Sequence, residues 1–149
     1  ETLRLGETAT TDAAMSGLEE MKNLTDLDLE GHKITDSQLV HLRSTHTLKR
    51  LSLMCQPITD AGLSHLTALT SLEDLNLCTT RITDAGLKQL ATLENLRQLK
   101  LVNTQITDAG VESLGRLTHL KYLDIGSTRI SLDGANTLRA TLPECQIKR

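Results

Sequence analysis

Residues 72–95 read LEDLNLCTTRITDAGLKQLATLEN, and the spacing of Leu72, Leu75 and Leu77 is the pattern on which the chain is built. The same triplet stands at Leu24/Leu27/Leu29, Leu48/Leu51/Leu53, Leu96/Leu99/Leu101 and Leu120/Leu123/Ile125, each set 24 residues after the last. A constant period of this length marks a stack of like units, each burying its apolar side against its neighbours. Within one unit the apolar spacing changes. Leu75-Asn76-Leu77 alternates as a short strand does, whereas Leu87, Leu90 and Leu93 recur every third residue as on a helix. The apolar set of this unit is Leu72, Leu75, Leu77, Ile82, Ala85, Leu87, Leu90 and Leu93.

Composition agrees with a layered core. The 149 residues hold one Tyr, no Trp and no Phe, so leucine must fill the interior. A stack of identical layers needs only one side-chain shape, repeated. The net charge of −3 lacks the clustered Lys and Arg that phosphate or anionic-membrane binding requires, and no aromatic platforms for bases exist. Nucleic acid is therefore not expected as a partner. No apolar run approaches the ~20 residues of a membrane span, and no signal-peptide pattern precedes Leu3. The chain opens at Glu1 inside a repeat, which reads as a piece of a longer protein, so the compartment is left open.

Cys55, Cys78 and Cys145 are too few and too irregular for a disulfide framework, and free thiols are expected. His41 and His65 share a repeat column with no third ligand, so no metal or other cofactor is expected, and both read as part of a solvated helix face. Asn23-Leu24-Thr25 matches a glycosylation sequon, with meaning only in a secreted eukaryotic protein.

Taken in order, residues 1–23 are a degenerate first repeat, because Leu3, Leu5 and Thr11-Asp12 stand 24 before Leu27, Leu29 and Thr35-Asp36. Fuller repeats follow at 24–47, 48–71, 72–95 and 96–119, and a last repeat with its cap at 120–149, all in one domain. Ile147, 24 after Leu123, predicts a short final strand, with Pro143 ending any helix before it. The first layer has no polar cap. Leu3 and Leu5 could pair with a second copy, which would make a dimer.

Thr83 suits a helix N-cap and Asp84 the positive end of the helix dipole. Thr35-Asp36, Thr59-Asp60 and Thr107-Asp108 repeat the pair. Gly62, Gly86, Gly110 and Gly134 fill one column inside the first turn, where propensity favours Ala. This points to a close approach by the adjacent layer; Ala14 and Gln38 interrupt the column, which suggests that the constraint is soft.

The recurrent ITDAGL of Ile58–Leu63 and Ile82–Leu87, with ITDAGV at Ile106–Val111, makes the chain resemble leucine-rich repeat proteins over essentially its whole length. It is similar to the ITDxGL-type repeats of F-box-like and bacterial leucine-rich repeat proteins, and the short regular period looks bacterial. Two features depart from the usual pattern. His32, Gln56, Thr80, Thr104 and Thr128 occupy the usual Asn/Cys position, and the repeats are shorter than many of the F-box type. The resemblance implies an α/β right-handed solenoid, a horseshoe fragment of about six parallel strands on the concave face with short helices on the convex face. It also implies recognition of a protein or peptide partner on that concave sheet, without catalytic residues. The other reading is a structural spacer or substrate-targeting arm of a larger enzyme, receptor or ligase.

Side chains at the third, fifth and seventh positions of each repeat should face outward from the strands. They form the rungs Thr2/Arg4/Gly6, Asp26/Asp28/Glu30, Arg50/Ser52/Met54, Asp74/Asn76/Cys78, Gln98/Lys100/Val102 and Tyr122/Asp124/Gly126. These positions vary while the core positions do not, as expected of a recognition surface; drift of solvated positions gives the same pattern. Met54, Cys78 and Val102 line up as an apolar strip suited to anchoring a partner, or to partial burial under the turn. Tyr122 is the one aromatic, a residue type favoured at interface hot spots. The rung Asp26/Asp28/Glu30 beside Arg50 suits a basic peptide or a cation or, more simply, a solvated face partly neutralised by Arg50 and Arg4. Asp26 with Asp28 superficially resembles a catalytic carboxylate pair, but an open sheet excludes no water. Cys78 has no His in its own or a neighbouring rung. The chain therefore reads as no enzyme.

Overall fold

The computed structural model describes residues 1–4, 12–31 and 33–149. Expectations placed on Leu5, Gly6, Thr11 and His32, and on the side chains of Arg4 and Asp12, lie outside the described residues. Seven parallel strands form one open sheet in chain order: β1 (Thr2–Arg4), β2 (Asp26–Asp28), β3 (Arg50–Ser52), β4 (Asp74–Asn76), β5 (Gln98–Lys100), β6 (Tyr122–Asp124) and β7 (Gln146–Lys148). Each residue pairs with the one 24 positions on, as Leu51 with Leu75 and Leu75 with Leu99. The terminal strand around Ile147 pairs in the same register, Ile147 with Leu123, and raises the count from about six to seven.

Between strands the chain returns through short helices: α1 (Asp12–Ser16), α2 (Asp60–Leu66), α3 (Asp84–Leu90), α4 (Val111–Gly115) and α5 (Leu132–Thr141). Residues 36–42 form a tighter 3₁₀ turn instead, and another, Asp108–Gly110, leads into α4. From β2 to β6 the triplet residues in and around each strand are 0–2% exposed, as are Ile34, Ile58, Ile82, Ile106 and Ile130. One continuous core runs the length of the spiral. Ala85 does not belong to it: this residue is exposed, and Gly86 is the buried one. The helical stripe thus begins one position later than apolarity alone suggests.

The glycine column has a specific cause. In α2 and α3 the N-cap Thr accepts a bond from the backbone N–H two residues on, Ala61 to Thr59 and Ala85 to Thr83, both at 3.3 Å. The same Thr is clasped by the Asp of the preceding repeat. Asp60 Oδ1 accepts from the Thr83 N–H at 2.8 Å, and Oδ2 accepts from its hydroxyl at 2.6 Å. Asp36 holds Thr59 and Asp84 holds Thr107 in the same way, and Asp108 accepts the Ser131 N–H at 2.8 Å. A Cβ on Gly62, Gly86, Gly110 or Gly134 would collide with the Asp36, Asp60, Asp84 or Asp108 carboxylate. Where the preceding repeat's Asp makes this clasp, a side chain in the column must displace it. Gln38, in the same column, takes a different role: its Oε1 accepts the Thr35 N–H at 3.0 Å from within its own repeat.

The position after the sheet turns the chain sharply. Cys55, Thr79, Asn103 and Ser127 have left-handed backbones, with φ between 55° and 61°, and Gly31 shares the column at 84°. Ladder bonds continue through the bend, as from the Thr79 N–H to Val102 O at 2.8 Å. One residue further on, Thr80, Thr104 and Thr128 donate their hydroxyls to Leu77, Leu101 and Ile125 carbonyls, each at 2.7 Å. Gln56, 2% exposed, joins that column by accepting the Ile34 N–H at 2.8 Å and donating to Met54 O at 3.1 Å.

Candidate interaction surface on the sheet

Because successive side chains of a strand point to opposite sides, the rungs face outward while Leu27, Leu51, Leu75, Leu99 and Leu123 face the core. The register places the third-position residues Thr2, Asp26, Arg50, Asp74, Gln98, Tyr122 and Gln146 in one row. A second row holds Asp28, Ser52, Asn76, Lys100, Asp124 and Lys148. A shallow depression of ≈ 330 Å³ opens on this face, lined by Thr2, Asp26, Asp28, Arg50, Ser52, Asp74, Asn76 and Lys100 around Leu27 and Leu51.

Much of the polar chemistry here is turned inward. Arg50 is paired with Asp26, which also accepts the Thr25 hydroxyl at 2.6 Å. The Thr25 hydroxyl and then Arg50 hold the Asp26 carboxyl below the usual carboxylate range. Asp28, Asn76 and Asp124 each accept the backbone N–H two residues on, at 3.0, 3.1 and 3.0 Å, and so shape the end of their own strands. Burial pushes the Asp74 carboxyl up, and Lys100 and Arg50 pull against it. Of the two neighbouring acids, Asp26 is ion-paired and Asp28 is half of a turn.

At the far end Asp124, only 5% exposed, accepts the Tyr122 hydroxyl at 3.2 Å and pairs with Lys148 at 3.2 Å. Its hydrogen bond holds the Lys148 ammonium above its ordinary pKa, and burial, with Asp124 second, pushes the Tyr122 phenol up. Tyr122 is thereby held at its hydroxyl. In the seventh column Met54 and Val102 are half-buried, while Cys78 between them is 8% exposed and its thiol is pushed up by burial. Glu30, Arg50 and Gln98 are exposed, and Asp26, Asp28, Asp74, Asn76 and Lys100 half-buried. The face thus carries Met54, Val102 and Tyr122 as its accessible apolar surface, with Cys78 and Asp124 largely beneath it.

Two histidines differ from a solvated helix face. His41 Nδ1 lies 2.6 Å from Glu19 Oε1 across a repeat seam, and His65 Nδ1 is buried without a hydrogen-bond partner. Burial, then Arg43, lowers the His65 pKa. All three cysteines are free thiols. Among the described residues, no helix is long and apolar enough to cross a membrane.

The rung residues were visible from strand alternation, but the clasp from Asp to the next repeat's Thr was not, because 23 residues separate the partners. The signal available was the co-occurrence of Thr-Asp with Gly two positions after the Asp in the following repeats. A family model described as Leucine Rich repeat matches residues 20–37, 92–115 and 116–138. Comparison of the sequence with curated proteins returns no match. Among solved structures the chain is similar to an internalin, InlF, of Listeria monocytogenes, with a TM-score of 0.75 and 27% identity over 89% of this chain and 36% of that one. It is similar also to internalin C2 of the same organism, with a TM-score of 0.69 and 27% identity over 89% of this chain and 54% of that one. The chain therefore spans between about a third and a half of the length of these relatives.

Proposed function

Because the chain is a leucine-rich repeat protein, we propose that it is a non-catalytic interaction module that takes a protein or peptide partner on the outer face of its sheet. One observation carries the reading: leucines 0–2% exposed repeat almost unchanged behind the sheet, while the side chains in front differ in every rung. The core chemistry is that of a scaffold, and the individuality of the chain lies on its face. Met54, Val102 and Tyr122 are the anchors, and Asp28, Glu30, Asp74, Asn76, Gln98 and Lys100 set the register of the partner. Asp26 with Arg50, and Asp124 with Lys148, are ion-paired on that face and contribute at its rim.

The experiment is affinity capture from the source organism with the chain and with a Met54→Glu/Val102→Glu variant. Capture should be lost while the thermal midpoint changes little, since neither side chain belongs to the leucine core. Undiminished capture by the folded variant would refute the location. A second reading, a spacer or targeting arm within a larger polypeptide, draws on the internalins being two to three times as long as the matched region. It predicts that the same double substitution leaves the activity of the larger protein unchanged.

A further inference from the structure

Across β4 to β7 the outer face carries two carboxylates, Asp74 and Asp124, and two ammonium groups, Lys100 and Lys148. They alternate in sign from strand to strand. Lys148 pairs with Asp124 at 3.2 Å, Lys100 stands in register with Asp124, and Lys100 acts on Asp74. On β3 the one cation, Arg50, is already bound to Asp26. The four charges sum to zero, and two of the cations on this face, Lys148 and Arg50, are already ion-paired, so the region offers a charged partner side chain no net attraction for the hydration it would lose.

What lacks an answer there is apolar. Met54 and Val102 are half-buried, on strands two steps apart, and thus separated by about 10 Å. The Tyr122 ring is half-buried on the next strand, with its hydroxyl held by Asp124. Resting on the reading of the sheet face given above, we propose that the occupant of this region is an extended polypeptide segment without net charge, recognised by its apolar side chains. The acids Asp28 and Glu30 lie at the edge of the contact, toward β2, where they bear on register rather than on anchoring.

The test is selection of a phage-displayed random peptide library on the full chain, with the enriched peptides then synthesised. They should be uncharged and rich in apolar side chains. Their Kd should change less than about twofold between low and high salt, where screening lengths fall from roughly 10 Å to 3 Å. It should rise at least about tenfold for Met54→Glu/Val102→Glu. The near-isosteric Met54→Gln/Val102→Thr variant, whose fold is at less risk, should weaken binding in the same direction. Enriched peptides that carry net charge and lose affinity about tenfold with salt would overturn the proposal while leaving the sheet face as the site. Peptides indifferent to both double variants, or a library yielding no binder to this face, would count against the site itself.

Discussion

Replacing Gly62 by Ala adds one methyl group to a helix interior, a change that ordinarily stabilises by about 1 kcal/mol. Here it should do the reverse. The new Cβ would fall on Asp36 Oδ1, with Ile58 Cγ2 at 3.0 Å and Leu39 Cδ1 at 3.1 Å closing the other sides. Asp36 must then release the Thr59 N–H and hydroxyl, now held at 2.9 and 2.6 Å. Two bonds to an ionised acceptor, partly lost, are worth roughly 3 kcal/mol, so the net cost is about 2 kcal/mol after the helix gain. For a chain of this size that lowers the thermal midpoint by about 4–8 °C. The decisive measurement is a double-mutant cycle with Asp36→Ala, read by urea titration. Once the carboxylate is gone, Gly62→Ala should become neutral or stabilising by up to about 1 kcal/mol, with a coupling of about 2–3 kcal/mol. An equal penalty in both backgrounds would refute the clasp as the reason for the glycine column.

Other consequences follow from single residues. Thr79 is a β-branched residue held at φ 58°, so Thr79→Gly or Thr79→Asn should raise stability by about 1 kcal/mol, seen as a higher urea midpoint at unchanged slope. A lower midpoint would show that the Thr side chain contributes more than its strain costs. His65 has a lowered pKa in the folded chain, so the unfolded chain takes up the proton first as pH falls below about 6.5, and stability is lost as pH falls further toward the folded value. His65→Gln should flatten that part of the profile, because Gln89, in the same column, donates to Asp60 O at 2.9 Å without titrating; an unchanged slope would locate the acid sensitivity elsewhere. Arg50 is 59% exposed in its pair with Asp26, so Arg50→Ala should cost less than about 1 kcal/mol, and a larger loss by chemical denaturation would mean that the pair organises the sheet face.

The leucine period carried the strands, their register and the terminal strand at Ile147, because each of those depends on side-chain alternation within a few residues. Helix type was less legible. Residues 36–42 and 60–66 share the same apolar spacing, yet one is 3₁₀ and the other α, since segments of seven residues are decided by how the neighbouring layer packs. The difference between Asp74 and Asp124 was likewise hidden: both are acids on outward rungs, but only Asp124 is roofed by Tyr122 and Lys148. In the seventh column Cys78 is buried while Met54 and Val102, which stand before the same left-handed bend, are half-buried. Exposure on the face depends on which neighbours lean over, a relation between repeats that no single repeat encodes.

The clasp has a direction, and this bears on how the spiral comes apart. From Thr59 to Ser131 each amide at the helix entrance is held by an acid belonging to the coil before it, so these coils open only together with a neighbour. Thr35 is served from within its own coil. Peeling should therefore begin at the amino-terminal end and halt where the first inter-coil clasp closes on Thr59, so that the Thr35 amide exchanges with solvent deuterium well ahead of Thr59, Thr83 and Thr107.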